Sequence, residues 1–117
     1  YRRKKNINLY KKYLKAESVK LIEDGVNEKN AYVMFIALSD KRNKLQKYLS
    51  RFNIQSLLYY PTALHLHNSM KFLGYKKGDL PNADTIANQV ILFPHHQHLT
   101  KKQIKFVCSK INKFFEK

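Results

Sequence analysis

Cysteine is nearly absent from this 117-residue chain. The single thiol, Cys108, excludes an internal disulfide and fits a reducing compartment. Glycine is just as scarce. Three glycines leave no dinucleotide fingerprint and no phosphate-cradling loop, and no G-x-S-x-G elbow is present. Acidic residues number only eight, and no spacing couples two of them for glycoside or peptide hydrolysis. No apolar run approaches the roughly 18 residues that a membrane span needs. The opening Tyr-Arg-Arg-Lys-Lys is not followed by an apolar signal segment. These absences read as a soluble, cytoplasmic, single-domain chain.

Basic residues, by contrast, are abundant. Twenty-three Lys and Arg give a formal net charge of +15, and they concentrate in residues 1–20, 41–51 and 101–117. Such a surface attracts polyanions. Nineteen of the 23 are lysine, however, and arginine is the usual reader of base edges. Charge alone therefore supports a general anion affinity more than sequence-specific nucleic-acid recognition.

Periodicity organises the remainder. Ile7, Tyr10 and Leu14 form one stripe of an amphipathic helix over residues 4–15 that starts abruptly, with no cap before Tyr1. The run 32–38 (YVMFIAL) is short and apolar, as expected of a strand buried on both faces. Ser39 and Asp40 can cap a following helix whose Leu45, Tyr48, Leu49 and Phe52 share a face. Residues 54–60 (IQSLLYY) read as a second strand ended by Pro61. Residues 67–73 suit a short helix closed by Gly74. Pro81 suits the first turn of the next helix, where Ala83, Ile86, Ala87 and Val90 share a face. Residues 90–93 read as a short strand. Thr100-x-x-Gln103 is a capping box opening a last helix with Ile104, Val107, Cys108, Ile111 and Phe115 inward. The fold class expected is α+β, a two-layer sandwich with a small mixed or antiparallel sheet of about three strands covered by helices.

Chemistry concentrates in residues 59–67, YYPTALHLH. A metal site there, or at His95-His96-x-His98, lacks a neighbouring Cys, Asp or Glu and the helical His-Glu-x-x-His spacing. Cys108 lies in an apolar helical pattern that suits an inert thiol better than a nucleophile. Two readings of the 59–67 turn remain open. Either Pro61 stiffens a strand exit from which Tyr and His side chains project into a cleft, or the tyrosines pack and His65 caps a backbone carbonyl.

Residues 30–115 resemble the C-terminal part of the DegT/DnrJ/StrS sugar aminotransferases. The landmarks run in order: Asn53-Ile54, Tyr59-Tyr60-Pro61, Ala63-Leu64-His65-Leu66, Leu73-Gly74-Tyr75, Gly78-Asp79-Leu80-Pro81-Asn82-Ala83, Phe93-Pro94-His95 and Leu99-Thr100-Lys101-Lys102-Gln103. The resemblance implies the small C-terminal domain of a fold type I, pyridoxal-phosphate (PLP)-dependent enzyme. Residues 1–29 would link it to the larger N-terminal domain, and residues 30–117 would form the small domain.

It further implies a homodimeric transferase that moves an amino group, usually from glutamate, to a keto-sugar carried on a nucleotide, as in polysaccharide biosynthesis. The cofactor-bearing Schiff-base lysine, the phosphate ligands and the carboxylate for the pyridine nitrogen would lie in the larger domain. No lysine here takes the Schiff-base role, so this chain alone is expected to bind no PLP, to contain no catalytic residue and to be inactive. His65 matches the family's substrate-facing histidine, Tyr60 its tyrosine and Pro61 its proline. Tyr59 departs from the usual histidine and Ala63 from the usual proline. Substrate-facing candidates are thus Tyr59, Tyr60, His65 and His67, the last lying beyond the matched position. This reading requires His65 to face a surface concavity. The alternative is a non-catalytic basic module binding nucleic acid or an acidic partner. A third reading, suggested by Tyr59, is a degenerate member kept for dimerisation or regulation.

Overall fold

A computed structural model describes residues 1–116. Four helices cover a three-stranded sheet: α1 (Arg2–Tyr13), β1 (Lys20–Leu21), β2 (Ile36–Leu38), α2 (Arg42–Ser50), α3 (Pro81–Gln89), β3 (Val90–Leu92) and α4 (Lys101–Phe115). Two 3₁₀ turns, Leu64–Leu66 and Asn68–Leu73, bridge the long interval between α2 and α3. The sheet order is β1-β2-β3, antiparallel throughout, with Lys20 opposite Leu38 and Ala37 opposite Ile91. This is the small α+β sheet expected, although β1 carries no sequence signal beyond one alternation. Among the described residues, no helix is long and apolar enough to cross a membrane.

The core lies between the sheet and helices α1, α2 and α4. Ile7 and Tyr10 of α1, Leu45 and Leu49 of α2, and Ile104 and Ile111 of α4 are fully buried there. Tyr10 packs its ring 4.9 Å from Phe35 and satisfies its hydroxyl by donating to the Pro94 carbonyl at 2.6 Å. That pairing is what lets a phenol sit in an apolar core. Burial pushes its pKa well above the usual phenol range. Asn112 of α4 ties down the end of α1. Its Oδ1 accepts from the amides of Lys15 and Ala16, and its Nδ2 donates to the Tyr13 carbonyl.

Several elements differ from expectation. The run 32–38 pairs only over Ile36–Leu38. Tyr32 has a positive φ of 51° and gives its hydroxyl to Asp24 Oδ1 at 2.7 Å, while His95 Nε2 takes the carbonyls of Tyr32 and Val33. Those partners withdraw residues 32–34 from the ladder. Residues 54–60 are not a full strand. They join β3 only at the antiparallel pair Leu57–Leu92, through reciprocal hydrogen bonds of 3.1 and 2.8 Å.

Helix α2 starts at Arg42 without a side-chain cap. Ser39 Oγ instead accepts from the Lys41 amide, and Asp40 accepts from Gln89. On α3, Ala87 and Val90 are buried but Ala83 and Ile86 are not. The inward face carries Asp84 and Ala87, an i, i+3 pair. The C-terminus of α3 is held by the buried Arg42 guanidinium, which donates to the carbonyls of Ala87 and Val90, a cation at the favourable end of the helix dipole.

Candidate functional site

Pairing of Leu57 with β3 aims the chain out of the sheet, and Pro61 fixes the exit. Tyr59 and Tyr60 stack there with ring centroids 5.5 Å apart and planes 21° off parallel. Both are well exposed, at 43% and 70%. Tyr59 stands on the rim of a groove of about 790 Å³ between the 52–57 segment, β3 and the first half of α4. Apolar side chains dominate its walls, among them Phe52, Ile54, Leu57, Leu99 and Phe106. Polar groups there include His95, His96, Gln103 and one lysine, Lys102.

The other candidates lie elsewhere. His65 does not line the groove, which is therefore not the concavity that the sequence reading requires of it. It is only 7% exposed. Its Nε2 approaches Asp84 Oδ1 to 3.1 Å, and Tyr75 meets its ring edge-on at 5.9 Å. His67 is exposed and folds back on the Thr62 carbonyl at 3.2 Å. No hydrogen bond or ring contact among the described residues joins the tyrosine pair to His65. Two participants, Tyr75 and Asp84, escaped the sequence reading. Asp84 was visible only as an acidic residue in the first turn after Pro81, where capping explains it equally well.

The remaining titratable clusters are structural or electrostatic. His95 ties residues 32–33 to β3, as described. Among the described residues, no three His, Cys, Asp or Glu side chains gather into a metal-binding set. The Cys108 thiol is buried, and that burial pushes its pKa up to about 12. Burial would also raise Tyr13, but the neighbouring positive charges of Lys101, Lys105 and Lys12 outweigh it and lower its pKa. The Lys105 and Lys12 ammonium groups stand 4.9 and 5.5 Å from its ring.

PLP needs a lysine in a shielded pocket, a carboxylate for its ring nitrogen and donors for its phosphate. No described lysine is buried, and the groove contains no Asp or Glu. Among the described residues, the lining of the groove does not fit that group.

Comparison with known proteins is consistent across sequence and structure. The family model for the "DegT/DnrJ/EryC1/StrS aminotransferase family" matches residues 1–112. The chain is 37% identical over 75 residues to a pleiotropic regulatory protein of Geobacillus stearothermophilus, covering 64% of this chain and 20% of that protein. It is 27% identical over 84 residues to dTDP-3-amino-3,4,6-trideoxy-alpha-D-glucose transaminase of Streptomyces venezuelae, covering 72% and 22%. The crystal structure of DesV from S. venezuelae, in complex with a ketimine intermediate, superposes with a TM-score of 0.91. That match has 22% identity and covers 99% of this chain and 32% of DesV. The chain thus spans between a fifth and a third of the length of these relatives. With the family model matched from the first residue to the last helix, the chain belongs to the DegT/DnrJ/EryC1/StrS aminotransferase family.

Proposed function

We propose that this chain is the small C-terminal domain of a PLP-dependent nucleotide-sugar aminotransferase, with residues 1–29 as the link to the larger domain and 30–117 as the small domain. The full-length enzyme takes an amino group from glutamate and gives it to a keto-sugar on a nucleotide carrier. It works in the cytoplasm as a homodimer. The observation that carries this reading is the family match over residues 1–112, supported by the fold shared with DesV across the whole chain. A fold relative solved in a PLP form, "Putative sugar aminotransferase Spr1654 from Streptococcus pneumoniae, PLP-form", supports the cofactor. PLP itself is held by the larger domain, and this chain alone turns nothing over.

Within that enzyme the chain forms one wall of the substrate cleft. Tyr59 and Tyr60 are the direct contacts. Their stacked rings offer a flat apolar face, and their hydroxyls donate to or accept from sugar hydroxyls. A tyrosine at position 59 cannot become cationic, so this wall favours neutral parts of the ligand over its phosphates. His65, buried against Asp84, turns only its Nδ1 side to the ligand. His67, already turned to Thr62, has the smallest part.

The test is direct. The full-length reading frame, supplied with PLP, glutamate and a dTDP- or UDP-linked keto-sugar, should release 2-oxoglutarate. The Tyr59→Phe variant should raise KM for the sugar with a smaller change in kcat. Absence of 2-oxoglutarate with every nucleotide keto-sugar would overturn the proposal.

A second reading, a basic module for polyanions, is favoured by the charge of +15 and by the lysines converging on Tyr13. Retention on a polyanion column that collapses steeply with added salt, in a full-length protein without transaminase activity, would favour it instead.

A further inference from the structure

We propose that Asp84 is the positioning residue of His65. It holds the imidazole with Nε2–H turned inward, so that Nδ1 is left as a hydrogen-bond acceptor for a ligand hydroxyl. The ligand half of this inference rests on the substrate-wall reading above.

Asp84 is itself fixed. It lies in the first turn of α3, where the helix dipole favours a carboxylate. Its Oδ2 accepts from the Gly78 amide at 2.7 Å, leaving Oδ1 to face the ring. His65 Nε2 and Asp84 Oδ1 are both sealed from solvent. They approach to 3.1 Å without the alignment of a full hydrogen bond, and neither has another partner. Two buried polar atoms that have only each other can coexist cheaply in one arrangement, with a proton between them. An ionised carboxylate is an acceptor only, so the proton belongs to Nε2.

A neutral ring in this arrangement carries its lone pair on Nδ1. That atom is not among the sealed ones and has no hydrogen-bond partner in the described residues. Tyr75 stands edge-on to the ring with centroids 5.9 Å apart. A buried histidine held by a carboxylate with its second nitrogen uncommitted is the general arrangement by which one residue sets the tautomer of another.

The tautomer selects the ligand. A lone pair on Nδ1 accepts from a hydroxyl. A carboxylate or phosphate offers no proton to it, and would need a second ring N–H while standing across the ring from the Asp84 charge. The chemistry recognised is therefore a sugar hydroxyl and not the anionic part of a nucleotide or amino donor.

The ¹⁵N spectrum of labelled imidazoles, with His65 assigned through His65→Gln, tests the first half. At a pH where His65 is neutral, the ring should be the Nε2–H tautomer. Asp84→Asn should convert it to a mixture, and Asp84→Glu should restore it. An Nδ1–H ring in the unmodified protein, or one unmoved by Asp84→Asn, overturns the proposal. The unmodified spectrum decides this even if Asp84→Asn fails to fold.

In the full-length enzyme, Asp84→Asn and His65→Gln should each raise KM for the keto-sugar roughly tenfold, leave KM for glutamate unchanged, and lose nothing further when combined. Additive losses, or an equal rise in KM for glutamate, overturn the ligand assignment. An inactive full-length protein whose His65 is Nε2–H sinks the aminotransferase reading and its ligand half while leaving the pair itself standing.

Discussion

Asp24 draws three donors at once: Lys4 Nζ at 2.9 Å, the Tyr32 hydroxyl at 2.7 Å and Asn30 Nδ2 at 2.5 Å. Its carboxyl is held well below the usual carboxylate range, first by the Lys4 hydrogen bond, then by Tyr32 and Asn30. A depressed carboxyl favours the fold at every pH above its unfolded value, about 3.9. That contribution fades as pH falls from there toward the folded value. The urea midpoint of the native chain should therefore drop with acidification below about pH 5, and Asp24→Asn should flatten that drop. Its Lys4 partner is well exposed, so 0.5 M salt should shrink the difference. An acid limb unchanged by Asp24→Asn would refute this assignment. Cys108 gives a second check at the same scale. With its thiol raised to about 12, it holds almost no thiolate at pH 8. It should resist a thiol reagent while the chain is folded and react fully in guanidinium. Stoichiometric labelling under native conditions would contradict its burial against α1 and the sheet.

At the scale of elements, α4 is the best-determined piece. Thr100 Oγ1 accepts from the Gln103 amide, and Gln103 Oε1 accepts from the Thr100 amide, closing the capping box. Thr100→Ala should cost about 1 kcal/mol and lower Tm by a few degrees, whereas Thr100→Ser should be close to neutral. Calorimetry of both variants distinguishes the cap from a loss of side-chain packing. Elements of this kind are legible because all their determinants sit within four residues of one another. The same holds for Pro81 at the start of α3 and for Gly74, whose φ of 77° closes the second 3₁₀ turn. The strands were not legible in detail. What stops β2 at Ile36 is Asp24 and His95, and the first of these lies across a loop that sequence periodicity does not see. What reduces 54–60 to one bridged pair is equally invisible in its own seven residues. Of the site, Tyr59, Tyr60 and His65 were legible as a dense turn. Their separation into an exposed stack and a buried His65–Asp84 contact was not, because Asp84 is 19 residues from His65.

At the scale of the molecule, apolar surface is distributed unevenly. The core between the sheet and α1, α2 and α4 is closed, yet Val33 is 70% and Phe72 80% exposed. Phe106 and Met34 open onto the groove. Exposed patches of this kind drive association. Although a charge of +15 opposes it at low ionic strength, the isolated chain should associate as salt rises and the repulsion is screened. Light scattering should record this, and Phe106→Lys should suppress it without lowering Tm, since that ring is 44% exposed. A chain that stays monomeric in high salt would show these patches to be too dispersed to act together.

The sequence by itself determined the four helices, the capping box of α4, the inward stripes of α1, α2 and α4, the basic surface and the family. All of these rest on residues close together along the chain or on their order. Only the tertiary structure decided that β1 completes the sheet, that Tyr59 rims a groove and that His65 is turned away from it onto Asp84. Those outcomes depend on which distant partner satisfies each buried donor and acceptor, and spacing along a chain does not encode that choice.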